Sequence, residues 1–335
     1  MNKVKELEGP LSTSQWDDLL LNNQPTVIRG LVGDWPIVEA YKRSPLEFLN
    51  YLRQFNSGMR VDTLLGPPTI SGRFFYNEQV TGFNYERKLE RFDVVLTALA
   101  ELCSLVPVPA IAIQGLELKQ DLAKVAEQNQ LAFMDKSIIP RLWLGNKVVT
   151  STHYDTMDNI ACAVAGKRHI VLFPPEQLAN LYVGPLLLTP AGTPMSMVDL
   201  RKPDFDKYPR FTEALEAAQE VILAPGDALL IPSYWWHNVE SMDAISGLIN
   251  FWWKSFEVDE LSPYQSLLHS LLSMQNLPMR HRLVWKNLFD HYVFQSNGHP
   301  GAHLPTELED ILTSLPKKRK ENLMKLLAEQ LAGEK

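Results

Sequence analysis

Excess basic charge, paired cysteines and long apolar runs are what this sequence lacks. It carries 32 lysines and arginines against 39 aspartates and glutamates, a net charge of −7. Its dense basic stretch, Lys317-Lys318-Arg319-Lys320, suits the solvated face of a C-terminal helix. A chain so balanced has no electrostatic footprint for nucleic acid. Two cysteines, Cys103 and Cys162, make no disulfide framework and fit a reducing cytoplasm. No apolar run reaches the roughly 18 residues that span a bilayer. The charged stretch Met1–Glu8 lacks the apolar centre of a secretory signal. A soluble cytoplasmic protein is expected, with no nucleic-acid or membrane partner.

What the chain does hold is enough apolar residue, 45% of the total, to fill a large core. Residues 1–60 predict a helix from Gln15 behind Ser12, Thr13 and Ser14, a strand over Pro25–Gly30, a turn at Gly33–Pro36 and a second helix opening at Ser44-Pro45. Strands broken by Gly66-Pro67-Pro68 follow, then a helix over Phe92–Leu105. From Pro140 the character is β. Arg141–Gly145 is a strand, Asn146-Lys147 suits a hairpin turn, and His153–Asp155 lies on the next strand. Asn159–Ala165 alternates imperfectly; Lys167–Phe173, Gln219–Leu223, Ala228–Pro232 and Ile245–Trp253 complete a set of short strands between glycine and proline turns. Such a set predicts a β barrel or sandwich, interrupted by a long excursion at 176–218. After about residue 255 the pattern turns helical, near Pro263–Leu271, His281–Val293 and within Glu307–Leu331. Its apolar positions, Leu267, Leu271, Leu283, Trp285 and Leu288 among them, exceed what one solvated helix face needs. They suit packing on the barrel and a homodimer.

The chemistry-bearing stretch is Thr150-Ser-Thr-His153-Tyr-Asp155, answered downstream by Tyr234-Trp-Trp-His237. Residues two apart on a strand share a face, so His153 and Asp155 can reach one metal while Tyr154 turns away. Two imidazoles and one carboxylate make the facial triad of non-heme iron(II) oxygenases, with the opposite face free for cosubstrate and oxygen. Taken singly, His153 could cap a strand, Asp155 could form a turn and His237 could sit hydrogen-bonded in a core. Taken together, beside Pro225-Gly226-Asp227 and the two tryptophans, they point to metal. No other histidine is assigned to it. Alternation sets His169 with Val171 and Phe173, opposite Arg168; His269, His281, His291, His299 and His303 fall in the helical region.

These motifs carry a resemblance. Thr150-x-x-His153-Tyr-Asp155-x-x-x-Asn159, Leu172-Phe-Pro-Pro175, Pro225-Gly-Asp227, Ile231-Pro-x-Tyr-Trp-Trp-His237-x-Val-Glu-Ser241 and Ile249-Asn-Phe-Trp252 resemble the JmjC/cupin-like 2-oxoglutarate oxygenases. That group includes the asparaginyl hydroxylase called factor inhibiting HIF. The resemblance runs from about Thr26 to Trp253. It implies a mainly β fold with helical additions, a double-stranded β-helix (jelly-roll) over residues 1–255, and a C-terminal helical, dimer-forming region over 256–335. It implies iron(II) on His153, Asp155 and His237, and 2-oxoglutarate held with Thr150, Asn159 and Asn250 around it. The family usually places a lysine where this chain has Arg168. A guanidinium can grip the same carboxylate as a two-pronged fork, or a one-residue bulge would present Lys167 instead. The activity implied is hydroxylation of a protein side chain or a small amino-acid-like molecule. Two rivals stand beside it: a cupin metalloenzyme that does not use 2-oxoglutarate, and a non-catalytic binding protein.

Overall fold

The computed structural model describes residues 1–56, 58–103, 107–190, 192–254, 262–305, 310–312 and 315–333. The chain divides into two compact units, Met1–Phe256 and Glu257–Lys335. In the first unit the strands in chain order are β1 (Asn2–Lys3), β2 (Lys5–Glu8), β3 (Thr26–Arg29), β4 (Arg60–Gly66), β5 (Arg73–Phe74), β6 (Glu86–Arg91), β7 (Ala110–Glu117) and β8 (Arg141–Gly145). There follow β9 (Val149–Tyr154), β10 (Asp158–Ala165), β11 (Arg168–Phe173), β12 (Gln219–Leu223), β13 (Ala228–Ile231), β14 (Trp236–Ser241) and β15 (Ser246–Trp253). They make a six-stranded sheet in the order β1-β12-β11-β14-β9-β5 and a nine-stranded sheet in the order β2-β3-β13-β10-β15-β8-β7-β4-β6.

The last eight strands are the jelly-roll: β8, β15, β10 and β13 face β9, β14, β11 and β12. Between them lies a small apolar core of Ala161, Ala163, Ile170, Leu172, Leu229 and Leu248. Outside the nine-stranded sheet, Ile160, Cys162, Val164 and Ile249 pack on Phe48, Leu49, Leu96 and Leu99. These last four come from the helices Pro45–Arg53 and Phe92–Leu102. On the outer side of the six-stranded sheet, Val171, Phe173 and Trp236 pack on Phe211 and Leu181 from the 176–218 excursion. Every residue of β10 is therefore buried. A strand covered on both faces has no polar side to alternate, which accounts for its imperfect pattern.

Local chemistry explains most boundaries. Ser12 caps the helix Thr13–Asn22 in a reciprocal capping box with Gln15. Ser44 caps Pro45–Arg53, whose proline occupies the first turn. Gly166 ends β10 at φ +64°, and a Cβ there would stand 2.5 Å from the Ile245 carbonyl oxygen, so this sharp corner into β11 requires glycine. The Asp227 carboxylate accepts from the Gly30 N–H (3.0 Å), the Ala224 N–H (3.0 Å) and the Arg29 guanidinium (2.7 Å). The Pro-Gly-Asp motif thus ties β13 to β3, and its carboxylate performs structural work.

Three sequence expectations change. The Asn146-Lys147 turn is no hairpin, because β8 and β9 belong to different sheets. Buried Asn146 instead accepts from the Ile111 N–H and donates to the Pro109 carbonyl, holding a corner between sheets. The helix Pro36–Arg43 begins where only a turn was expected. The strand β6 was not foreseen, because Glu-Arg-Lys-Leu-Glu-Arg has no buried face to alternate. In the second unit, α-helices span Pro263–Met274, Met279–Tyr292 and Lys317–Ala332. Part of the expected 307–331 helical segment lies outside the described residues. Among the described residues, no helix is long and apolar enough to cross a membrane.

Candidate active site

Two neighbouring strands of the six-stranded sheet build the centre. β9 and β14 run antiparallel with His153 directly opposite His237. Between that pair and the next, Thr150 opposite Val239, β9 advances three residues while β14 advances two. This β-bulge reverses the side-chain parity of β9. In a regular strand Thr150 and His153 would face opposite ways; here both line one cavity. Asp155 follows at the strand end, its backbone carbonyl accepting from the Tyr234 N–H at 2.7 Å.

His153, Asp155 and His237 place one ligand atom each within 4.8 Å of one another. The His237 Nε2 stands 3.7 Å from Asp155 Oδ2. Both imidazoles are oriented from behind: His153 Nδ1 is 2.9 Å from the Ser151 carbonyl and His237 Nδ1 is 3.0 Å from the Trp235 carbonyl. A carbonyl can only accept, so each Nδ1 carries a proton, and Nε2 is the nitrogen left to bind a metal. Burial, and then the neighbouring His237, hold His153 well below the usual imidazole range. It is thus neutral near pH 7, as a metal ligand must be. The donor set fits a divalent first-row metal with open positions.

The triad opens into a cavity of about 570 Å³ that Thr150, Asn159, Arg168 and Asn250 also line. Arg168 lies on the inward face of β11 with Ile170 and Leu172, opposite Ser241 of β14. It is buried, and burial pulls its pKa down to about 10, still a cation at neutral pH. Among the described residues no carboxylate pairs with it, and its Nε has no hydrogen-bond partner. Ser241 Oγ and Ser246 Oγ are buried and likewise unpartnered. An isolated buried cation is costly, and an anion seated beside it would offset that cost. Lys167, by contrast, is exposed, its backbone N–H bound to Asp243 Oδ2 at 2.7 Å. No bulge turns it inward. Asn250 Nδ2 donates to Asn159 Oδ1 at 2.8 Å, joining β15 to β10 across the cavity floor. His169 faces outward, 3.0 Å from Glu220.

Sequence reasoning missed the outer wall. Asp62, Leu64, Arg87, Gln114, Arg141 and Trp143 line the same cavity, from strands β4, β6, β7 and β8. Arg141 and Trp143 could have been found, since they alternate with the core residues Leu142 and Leu144. The contributions of β4 and β6 depend on long-range pairing that no local pattern reports. The excursion also reaches the cavity, through Thr189, Pro190 and Gly192.

Comparison with known proteins places this geometry. The chain is 27% identical over 280 residues to the lysine-specific demethylase JMJ31 of Arabidopsis thaliana, covering 75% of this chain and 50% of that one. It is 24% identical over 260 residues to lysine-specific demethylase 8 of Xenopus tropicalis, covering 75% and 52%. Over a shorter stretch of 103 residues it is 40% identical to the human tRNA wybutosine-synthesizing protein 5, covering 31% and 30%. The chain thus spans about half the length of the demethylase relatives. These matches support the JmjC/cupin-like group, and not the narrower likeness to the asparaginyl hydroxylase. A model of the cupin-like domain matches residues 12–259, most of the first unit, and the chain belongs to the cupin-like family.

Proposed function

We propose that the chain is an iron(II)- and 2-oxoglutarate-dependent oxygenase that hydroxylates a protein side chain or a small amino-acid-like molecule. The observation that carries this reading is the buried guanidinium of Arg168, with no carboxylate paired to it among the described residues, in the same cavity as the His153–Asp155–His237 triad. A metal centre and an anion receptor in one cavity match a cosubstrate that is both a chelator and a dicarboxylate. Bound iron and 2-oxoglutarate would supply oxygen activation, coupled to oxidative decarboxylation of the cosubstrate. His153, Asp155 and His237 hold the metal. Arg168 and Thr150 hold the far carboxylate, and Asn159 and Asn250 line the space between. The apolar surround of Ala161, Ile170, Ile231 and Leu248 limits water at the reacting centre. The two free cysteines fit a reducing cytoplasm.

The test is turnover. Iron-loaded protein incubated in air with 2-oxoglutarate and followed by proton NMR is expected to form succinate, dependent on iron and absent in His153→Ala. Iron-bound protein that leaves 2-oxoglutarate unbound and unconsumed would select the second reading, a cupin metalloenzyme without this cosubstrate. A guanidinium is bulkier than the family's usual lysine, and seating a different acid on it would give that outcome.

We further propose a homodimer through the C-terminal helices. Neither Pro263–Met274 nor Met279–Tyr292 buries a residue, and Leu267, Leu272, Leu283, Val284 and Trp285 are exposed. Sedimentation at micromolar concentration should give a mass near twice 38.1 kDa; a monomer would remove the proposal.

A further inference from the structure

The cavity walls have an uneven charge inventory. Five charged residues line it besides His153 and His237: Asp62, Arg87, Arg141, Asp155 and Arg168. Asp155 belongs to the triad and Arg168 to the inner anion site. Arg87 and Asp62 neutralise each other, with Arg87 Nε 2.9 and 3.0 Å from the two carboxylate oxygens. Arg141 is different. Its one carboxylate partner, Glu117 at 2.6 Å, is shared with Lys119. One carboxylate between two cations leaves the trio with a net positive charge, and its Arg141 guanidinium, which lines the cavity, is 38% exposed.

The groups beside Arg141 are aromatic. Its guanidinium sits 5.7 Å over the Trp252 ring, and Trp143 meets Trp252 edge to face at 5.7 Å. Both rings line the cavity, so they wall the space beside the guanidinium. The outer half of the cavity thus offers an accessible guanidinium from a trio with net positive charge. Its one carboxylate, Asp62, is already engaged. That is a receptor for an acceptor-rich anion, and it repels an ammonium group.

We infer that the substrate bears a carboxylate gripped by Arg141 at the outer wall, and that a methylated lysine is not the substrate. The inference rests on the oxygenase reading above and adds the class of molecule that reading leaves open. Arg141 is its specificity-determining residue, with Trp143 and Trp252 as walls.

Anaerobic protein with iron(II) and 2-oxoglutarate provides the test. The visible charge-transfer band is recorded first; its absence would overturn the oxygenase reading before any probe is added. N-acetyl-2-aminoadipate amide and N-acetyl-trimethyllysine amide, of similar length and opposite charge, are then titrated, followed by band shift and ligand-observed NMR. Free 2-aminoadipate is the third probe and separates a free amino acid from a peptide-like source. At least one acidic probe is expected to bind at least tenfold tighter than the trimethyllysine probe. Arg141→Gln should erase that preference and Arg141→Lys should keep most of it, with thermal melting as the folding check. Equal or tighter binding of the trimethyllysine probe, no binding of either acidic probe, or a preference unchanged in Arg141→Gln would overturn the inference.

Discussion

Asp155→Ala should leave the protein folded and strip it of bound iron. The two histidines would keep their orientation, because each is held by a carbonyl of its own strand, Ser151 or Trp235. The backbone at 155 would stay in place too, since the contact from the Tyr234 N–H goes to the Asp155 carbonyl and not to its side chain. What disappears is the only charged donor of the three. Residues that merely orient a metal ligand cost about 10–100-fold in affinity or activity when changed. Loss of a ligand itself should cost at least about a hundredfold. Iron content after desalting, set against an unchanged melting temperature, is the measurement. Full iron occupancy and undiminished turnover in Asp155→Ala would contradict the assignment.

Arg168→Met should move stability and cosubstrate binding in opposite directions. In the free protein Arg168 is a buried cation with no carboxylate among the described residues to offset it. Replacing even a buried ion pair by apolar side chains of similar volume is often neutral or stabilising, by up to about 4 kcal/mol, and a cation with no paired carboxylate has less attraction to lose. The melting temperature of the free variant should therefore rise by a few degrees. Affinity for 2-oxoglutarate should fall. Removing one partner of a buried, hydrogen-bonded charge pair costs about 2–5 kcal/mol, or about thirty- to several-thousand-fold. Arg168→Lys, the residue the family usually carries, should retain part of the binding. A residue with a purely structural role would lose stability on substitution, so a fall in melting temperature with binding unchanged would remove Arg168 from the site.

The readable parts of this molecule are those set by local rules. His153 and Asp155 share a face because strand side chains repeat every two residues, and Arg168 could be set apart from His169 in the same way. The capping sequences at Ser12 and Ser44 announce their helices. Thr150 is another matter. Strict alternation would turn it away from His153, and only family likeness placed it near the cosubstrate. The β-bulge that brings it back is a register shift against β14, a property of two strands far apart in sequence. The misread corner at Asn146 has the same origin, since only long-range pairing shows that β8 and β9 sit in different sheets. The outer wall from β4, β6 and β7 was hidden for this reason too. Its polar residues look like ordinary surface until the sheet brings them to the cavity.

The most direct test of the central claim is an anaerobic titration of iron(II)-loaded protein with 2-oxoglutarate, followed by the visible metal-to-ligand charge-transfer band. Wild type should develop the band and saturate; His153→Ala should show none; Arg168→Met should need much more 2-oxoglutarate to reach half-saturation. Iron bound without any band would show that the arginine serves another acid. Failure of wild type to take up iron at all would contradict the metal centre itself.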